Sequence, residues 1–575
     1  MKQFNYIKIR TRDLLTTWWA TAFALNAILV FPSWFHKLAE TGTVFGFWYT
    51  RQIFSLFWIS VDLLAMLTLL YATRNKSWHR WVRRACITAY ILLLAFEGYA
   101  SVIQQLFQRP PVLYNELYLI TDALYLVLDN GPVAWLILLI ITALVAILIL
   151  WIIPKMFGHL SRRLRETGSP EPILWTLGIL WTAVLLVQID WGIHKRDAAA
   201  QLVSYRAGQS VETSLEYYHT IRKTDWAALD STFQEYANLQ LSTRPNIYLI
   251  MLESYGKILL QHPKLQDGYN RIIRDFSDTL ESRGWHAVTN YSDAPVVGGG
   301  SWLSSATILT GIRVANEPLY HSILKFDTSH LIRVLEELGY TTISVKPADR
   351  TRPGIPLENQ FGFEIPVAYK DLHYTGTAFG WGIVPDQYSL NYAYHNYVAP
   401  ETGPTMLHFT TLATHMPWSE QARPPLKADW RSLNNPNDST AWNEDFFSHL
   451  RIRLHSLTMQ PLNTDYFLKL LRYDFRVIQR FMRDKIAGDA VVLIVGDHQP
   501  AMVTRKSDGT QTIVHVLSKN KQLLSTFTKE GFAQGFQKPA EDSGTIAHQD
   551  LYPMLMESLK ATYGSADTSE AARIQ

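Results

Sequence analysis

Five long apolar runs fill the first third of the chain, at 14–34, 53–72, 85–106, 132–153 and 172–190. Each is long enough to cross a hydrocarbon layer as a helix, which takes about 20 residues. The stretch LILLIITALVAILILWII has no polar face, unlike a helix that lies on a soluble core. No small-residue cleavage site follows the first run, which is therefore read as a retained span rather than a signal peptide. From 191 to 245 the pattern turns polar and helix-prone, and it closes at Arg244-Pro245, because the residue before proline is biased away from helix. Beyond it, short β-leaning runs (NIYLIML, TTISV, TMLHFTTLAT, VVLIVG) alternate with helical patterns. That alternation predicts an α/β domain with a mostly parallel, doubly wound central sheet.

The expected organisation is a five-helix transmembrane domain over 1–190, a helical juxtamembrane linker over 191–245 and an outer catalytic domain over 246–575. Basic residues orient it. Lys2, Lys8, Arg10 and Arg12 precede the first span. Arg74, Lys76, Arg80, Arg83 and Arg84 separate spans two and three, and Lys155, Arg162, Arg163 and Arg165 separate spans four and five. The alternate loops carry only Lys37, Arg51 and Arg109. The N-terminus is thus expected in the cytoplasm and the C-terminal domain outside it. The 107–131 segment is amphipathic enough to lie along the outer interface. Asp62 and Glu97 fall inside spans, where an acid is either functional or pairs helices.

Composition narrows the chemistry. With 575 residues, the chain is too long for one ordinary core. A formal net charge of +3, without a block of like charge, gives no footing for a nucleic-acid partner. The single cysteine, Cys86, excludes an intramolecular disulfide and a cysteine metal site.

In parallel α/β sheets functional groups gather beyond the carboxyl ends of the strands. Glu253 follows YLIML, His415 follows MLHFTTLAT, and Asp497-His498 follow VVLIVG. Glu253 alone also fits a strand-end helix cap, and Asp497-His498 alone a turn after a buried strand. Together, Asp, Glu and His make an oxygen-rich site for one divalent ion, Mn²⁺, Zn²⁺ or Mg²⁺. The stretch GGGSWLSSATILTG at 298–311 brings a serine, Ser301, between those ligands along the chain. Its glycines are expected to leave a phosphate room to reach the serine, and Ser304 and Ser305 to cap the helix that follows.

These pieces, with GWG at 380–382, TLATHMPW, VVLIVGDHQP and HQDLYPMLMESL, resemble, in order, the alkaline phosphatase/sulfatase superfamily. The resemblance covers roughly 245–560 and is to the membrane-anchored, lipoteichoic-acid-synthase-like branch of phosphoglycerol transferases. It implies Glu253, Ser301, Asp497 and His498 as metal ligands, Ser301 also being the nucleophile, with His415 and Trp381 as substrate-binding residues and Asp550 as a structural helix cap. Leu303 and Ser305 stand where formylglycine modification needs Pro and Arg, so the pattern departs from the sulfatases. Serine replaces the branch's usual threonine, and it performs the same attack.

The resemblance implies a metal-dependent transferase, with Mn²⁺ the expected ion, in the inner (cytoplasmic) membrane of a bacterium, its catalytic domain periplasmic. It would carry phosphoglycerol from phosphatidylglycerol, a membrane phospholipid donor, through Ser301 to a glycan or glycolipid acceptor. A cysteine-free outer domain leans away from phosphoethanolamine transferases, whose outer domains usually hold disulfides. Phosphoethanolamine transfer, phosphodiester hydrolysis and a catalytically silent lipid-binding regulator remain the alternatives.

Overall fold

The computed structural model describes residues 16–32, 60–107, 109–128, 132–166, 171–194, 203–226, 236, 238–326, 329–349, 359–380, 384–416, 418, 423–435, 464–500, 503–504, 508–536, 539 and 544–565. The chain divides into two compact units, Met1–Gln105 with Arg109–Glu216 and Leu106–Gln108 with Tyr217–Gln575. The division falls inside the segment read as a linker.

The first unit is helical: α1 (16–32), α2 (Val61–Thr73), α3 (His79–Phe107), α4 (Leu113–Leu128), α5 (Pro132–Glu166), α6 (Glu171–His194) and the start of α7 (Val203–Lys223). Trp18, Leu25, Leu64, Tyr90 and Phe157 form its buried core. Buried polar groups pair across helices, as an apolar surrounding demands. The Tyr90 hydroxyl donates to Leu25 O at 2.6 Å, and the Trp181 indole N–H to Thr68 Oγ1 at 3.0 Å. Both acids flagged in the sequence find partners on α7: Asp62 accepts from the Ser204 hydroxyl at 2.5 Å, and Glu97 pairs with Arg206. They join helices within this unit.

The five expected crossings are not all met. Among the described residues two helices, His79–Gln104 and Thr142–Glu166, are long and apolar enough to cross a membrane. Val61–Thr73 and Glu171–Leu185 are apolar but shorter, and 53–59 and 33–34, parts of two expected spans, lie outside the described residues.

The second unit is a three-layer α/β fold. Its nine described strands are β1 (Asn246–Leu252), β2 (His286–Asp293), β3 (Thr341–Lys346), β4 (Ile365–Ala368), β5 (Thr405–Thr410), β6 (Ala490–Gly496), β7 (Gln511–Ser518), β8 (Ala533–Gln534) and β9 (Ile546–Ala547). They form one sheet in the order β4-β3-β5-β1-β6-β7-β2-β8, with β9 against β2. The sheet is mixed, with parallel pairings in the majority, β2–β9 among them. From β4 to β6 every pairing is parallel, whereas β6–β7, β7–β2 and β2–β8 are antiparallel. The apolar runs did not reveal this, because a strand covered on both faces reads the same in either direction.

Both faces are covered. Tyr248, Ile250 and Leu252 of β1 pack with α8 (Pro263–Glu281) and α13 (Thr464–Lys485), while Ile247, Leu249 and Met251 pack with α9 (Ser301–Thr310), α11 (Leu331–Glu337), α14 (Lys521–Lys529) and α15 (Leu551–Tyr563). The remaining helices of this unit that bear on the site are α10 (Glu317–Phe326) and α12 (Asp386–Ala393). Parallel register sets Leu252 beside Gly496, so the next residues, Glu253 and Asp497, leave neighbouring strands side by side.

Gly496 allows that exit. A Cβ there would lie 1.9 Å from the Tyr255 carbonyl oxygen, a backbone atom that cannot swing aside. Gly496→Ala is therefore expected to cost about 3 kcal/mol, read as a lowered melting midpoint of the full chain in detergent; an unchanged midpoint contradicts this account of the strand end.

Candidate active site

Period-two alternation carries the two strand-end acids to one face. Ile247, Leu249 and Met251 of β1 and Val491, Leu493 and Val495 of β6 face the layer that holds α9, and Glu253 and Asp497 continue those two series. Sharp turns then lock the ends. Ser254 has a left-handed φ of 56°, an uncommon conformation for a residue with a Cβ. Its N–H donates to Asp497 Oδ1 at 2.8 Å and its hydroxyl to Glu253 Oε1 at 2.8 Å. The Glu253 N–H donates to Thr411 Oγ1 at 3.1 Å, and the His498 N–H to Asp497 Oδ1 at 2.7 Å.

The result is a compact cluster. Ligand atoms of Glu253, Asp497 and His498 lie within 4.8 Å of one another, and all three residues are buried. His498 Nε2 is 3.5 Å from both Glu253 Oε1 and Asp497 Oδ2. Because the Gln499 carbonyl can only accept, its 3.0 Å contact with His498 Nδ1 puts the ring proton there and turns Nε2 toward the carboxylates. Asp497 Oδ2 and His498 Nε2 are buried without a hydrogen-bond partner. Such orphaned atoms are costly, and a divalent cation satisfies both. The residues therefore fit a metal.

Electrostatics agree. Burial, then the Glu253 charge, raises the Asp497 carboxyl to about 7. Burial alone would lower the His498 imidazole, but the charges of Asp497 and Glu253 outweigh it and raise it. Without a cation, protons take its place.

Ser301 joins the cluster from the layer that Glu253 and Asp497 face, its hydroxyl donating to Glu253 Oε2 at 3.2 Å. It is the first residue of α9, so unpaired backbone N–H groups of that helix end beside it, a natural seat for an anion. Gly298, Gly299 and Gly300 have φ of 67°, 98° and 79°. The glycines answer a backbone demand, and a Cβ on Gly300 would make only ordinary contacts with the protein, the nearest at 3.5 Å. Ser304 does not cap the helix as expected; it is buried and its hydroxyl donates to the Asp497 carbonyl at 2.5 Å, tying α9 to the end of β6. Beside the serine, Trp302 is 37% exposed and its indole N–H donates to the buried Glu317 at 2.9 Å.

His415 follows β5. Its Nδ1 contacts the Met416 carbonyl at 2.7 Å, which makes Nε2 the basic nitrogen. Burial lowers its pKa to about 4, the Met416 carbonyl opposing and the His498 charge adding to the drop. Asp550 accepts from the Ala547 N–H at 2.7 Å and stands just before α15, a structural role. Trp381 lies outside the described residues.

Sequence reasoning missed the supports beneath these groups. Thr414 donates its hydroxyl to Glu253 O at 2.6 Å, and behind it lie two buried acids, Asp386 and Asp474. Asp474 was detectable: it interrupts the apolar stripe of α13 formed by Phe467, Leu470, Leu471, Val477 and Ile478. Asp386, just after Pro385, reads as an ordinary first-turn acid.

No family profile and no curated protein matches the chain. Among solved structures it is similar to the integral membrane lipooligosaccharide phosphoethanolamine transferase A (EptA) from Neisseria meningitidis, at 14% identity and TM-score 0.45, over 92% of this chain and 95% of that one. It is also similar to the lipoteichoic acid synthase LtaP from Listeria monocytogenes, at 14% identity and TM-score 0.33, over 57% of this chain and 78% of that one. A third is the Streptococcus pyogenes phosphoglycerol transferase GacH in complex with sn-glycerol-1-phosphate, at 15% identity and TM-score 0.34, over 60% of this chain and 90% of that one. Two of these proteins carry names of the branch that the motifs resemble, a lipoteichoic acid synthase and a phosphoglycerol transferase.

Metal uptake must displace the protons held by Asp497 and His498. Affinity for Mn²⁺ is expected to fall by at least about tenfold per unit as pH drops below about 7. Calorimetric titration of the full chain across that interval, in two buffers of different ionisation heat, reads both the affinity and the proton release. PH-independent binding without proton release contradicts the assignment.

Proposed function

We propose that the chain is a metal-dependent phosphotransferase that moves a phospholipid head group, phosphoglycerol from phosphatidylglycerol, through Ser301 to a hydroxyl of an extracytoplasmic glycan or glycolipid. The observation that carries the reading is the Ser301 hydroxyl at a helix N-terminus, bonded to one of three buried groups suited to a divalent ion.

Glu253, Asp497, His498 and the Ser301 oxygen would hold the ion, Mn²⁺ in this reading. When bound, it supplies a Lewis acid that lowers the hydroxyl's pKa and screens charge on the phosphoryl group. Ser301 Oγ gives up its proton and forms a bond to the head-group phosphorus, the phosphorus–oxygen bond to diacylglycerol breaks, and the departing diacylglycerol oxygen takes up that proton. An acceptor hydroxyl then attacks the phosphoserine in line, loses its proton and frees Ser301. The N–H groups at the start of α9 hold the phosphate oxygens. His415 Nε2, neutral in the resting protein, takes the acceptor's proton. Trp381 is proposed as a substrate-binding residue on the resemblance alone. The first unit anchors the catalytic unit in the inner membrane, with the N-terminus cytoplasmic and the catalytic unit periplasmic. The absence of cysteine from 246–575 supports phosphoglycerol over phosphoethanolamine.

The experiment is incubation of the full chain with head-group-labelled phosphatidylglycerol and Mn²⁺, followed by mass spectrometry of the Ser301 peptide. A glycerol-phosphate adduct, and at least a 10³-fold loss of diacylglycerol release in Ser301→Ala, are expected, on the order of a lost nucleophile. Equal release by Ser301→Ala contradicts the mechanism. An ethanolamine-phosphate adduct from labelled phosphatidylethanolamine alone overturns the head-group assignment and leaves the chemistry intact.

A further inference from the structure

Behind the candidate site two carboxyl groups share one dry pocket. Asp386 opens α12 and Asp474 sits in the middle of α13, and they are 1% and 0% exposed. Each carboxyl feels the other, and Asp474 Oδ1 is buried without a hydrogen-bond partner. Two buried carboxylates so placed repel each other, and one retained proton removes that cost.

The surroundings decide where that proton sits. Asp386 uses both oxygens as acceptors, Oδ1 from the Leu412 N–H and Oδ2 from the Ala413 N–H, each at 2.8 Å. That is the bonding of a carboxylate. Asp474 has the opposite surroundings. The Thr414 hydroxyl donates to Glu253 O at 2.6 Å and makes only a longer contact, 3.3 Å, to Asp474 Oδ2, while Asp474 Oδ1 has no hydrogen-bond partner. An anion so poorly served is costly in a buried site, which assigns the retained proton to Asp474. Tyr473, which accepts from the Gln387 N–H at 3.1 Å, and Glu253 are the other titratable groups around the pair, and the Glu253 charge disfavours a second anion. Burial raises both acids, Asp386 to about 6 and Asp474 well above its ordinary value, which agrees with one retained proton.

Leu412, Ala413 and Thr414 are the three residues before His415, and Thr414 ties the same turn to Glu253. We propose that Asp386 and Asp474 are positioning residues for the transfer reaction: a proton-sharing carboxyl pair, Asp474 the acid and Asp386 the carboxylate, that clamps the 411–415 turn and so sets His415 against the metal ligands. The kinetic part rests on the phosphotransferase reading above; the protonation part does not.

The test compares Asp386→Asn, Asp474→Leu, Asp474→Asn, His415→Ala and the Asp386→Asn/His415→Ala double variant in the full chain with Mn²⁺. Asp474→Leu is expected to lower kcat by about thirtyfold, and Asp474→Asn to restore it to within about threefold of the parent, because a carboxamide N–H donates as the acid does. Asp386→Asn cannot accept two N–H bonds with its amide nitrogen and should also lose about thirtyfold in kcat, with Mn²⁺ uptake unchanged. Added to His415→Ala it should cost nothing more, because the two act through one group. Losses that multiply, or an Asp474→Asn as damaging as Asp474→Leu, overturn the proposal.

Infrared spectroscopy supplies the second readout, independent of turnover. A protonated-carboxyl C=O band at neutral pH that vanishes in Asp474→Asn supports the assignment, and a parent spectrum without that band overturns it. If the parent transfers no head group but the band behaves as stated, the phosphotransferase reading fails and the proton-sharing pair stands.

Discussion

Two carboxylates and an imidazole within 4.8 Å, all buried, cannot coexist unless positive charge is brought to them. That constraint organises the second unit. Adjacent parallel strands deliver Glu253 and Asp497 side by side, and the 3.5 Å separations to His498 leave a concave set of lone pairs with no donor of its own. Much of the local backbone exists to hold this arrangement against its own repulsion. The left-handed Ser254 turns its N–H onto Asp497, the close approach at Gly496 lets the strands end together, and Ser304 ties the helix end to the Asp497 carbonyl.

The same geometry supports the proposal that a plain serine attacks. Ser301 is the first residue of a ten-residue helix, whose N–H groups point out of the helix start, and its hydroxyl donates to Glu253. A phosphate arriving there meets N–H groups on one side and the cation-demanding cluster on the other. His415 directly follows Thr414, and Thr414 is bonded to the backbone of Glu253, so the proposed metal-binding and proton-moving groups share one support.

The strand-end placement of Glu253, His415 and Asp497-His498 was legible because apolar runs locate strands and the residue after each run locates its end. Strand direction was not, so the antiparallel β7 and β2 appeared only in three dimensions. The glycines also meet a backbone demand that the sequence does not announce, three successive positive φ values. Asp62 and Glu97 were left between function and helix pairing, and their partners Ser204 and Arg206 lie on a helix distant in sequence. Asp386 and Asp474 escaped notice because a buried acid is visible in sequence only as a break in an apolar stripe, and Asp386 makes no such break.

The central claim is that Glu253, Asp497, His498 and Ser301 hold one divalent ion between them. Anomalous X-ray diffraction from crystals of the full chain grown with Mn²⁺ tests it most directly. The account predicts a single strong peak about 2.0–2.3 Å from a carboxylate oxygen of Glu253, from Asp497 Oδ2, from His498 Nε2 and from Ser301 Oγ. No peak at that point, or a peak bound by other residues, would contradict it.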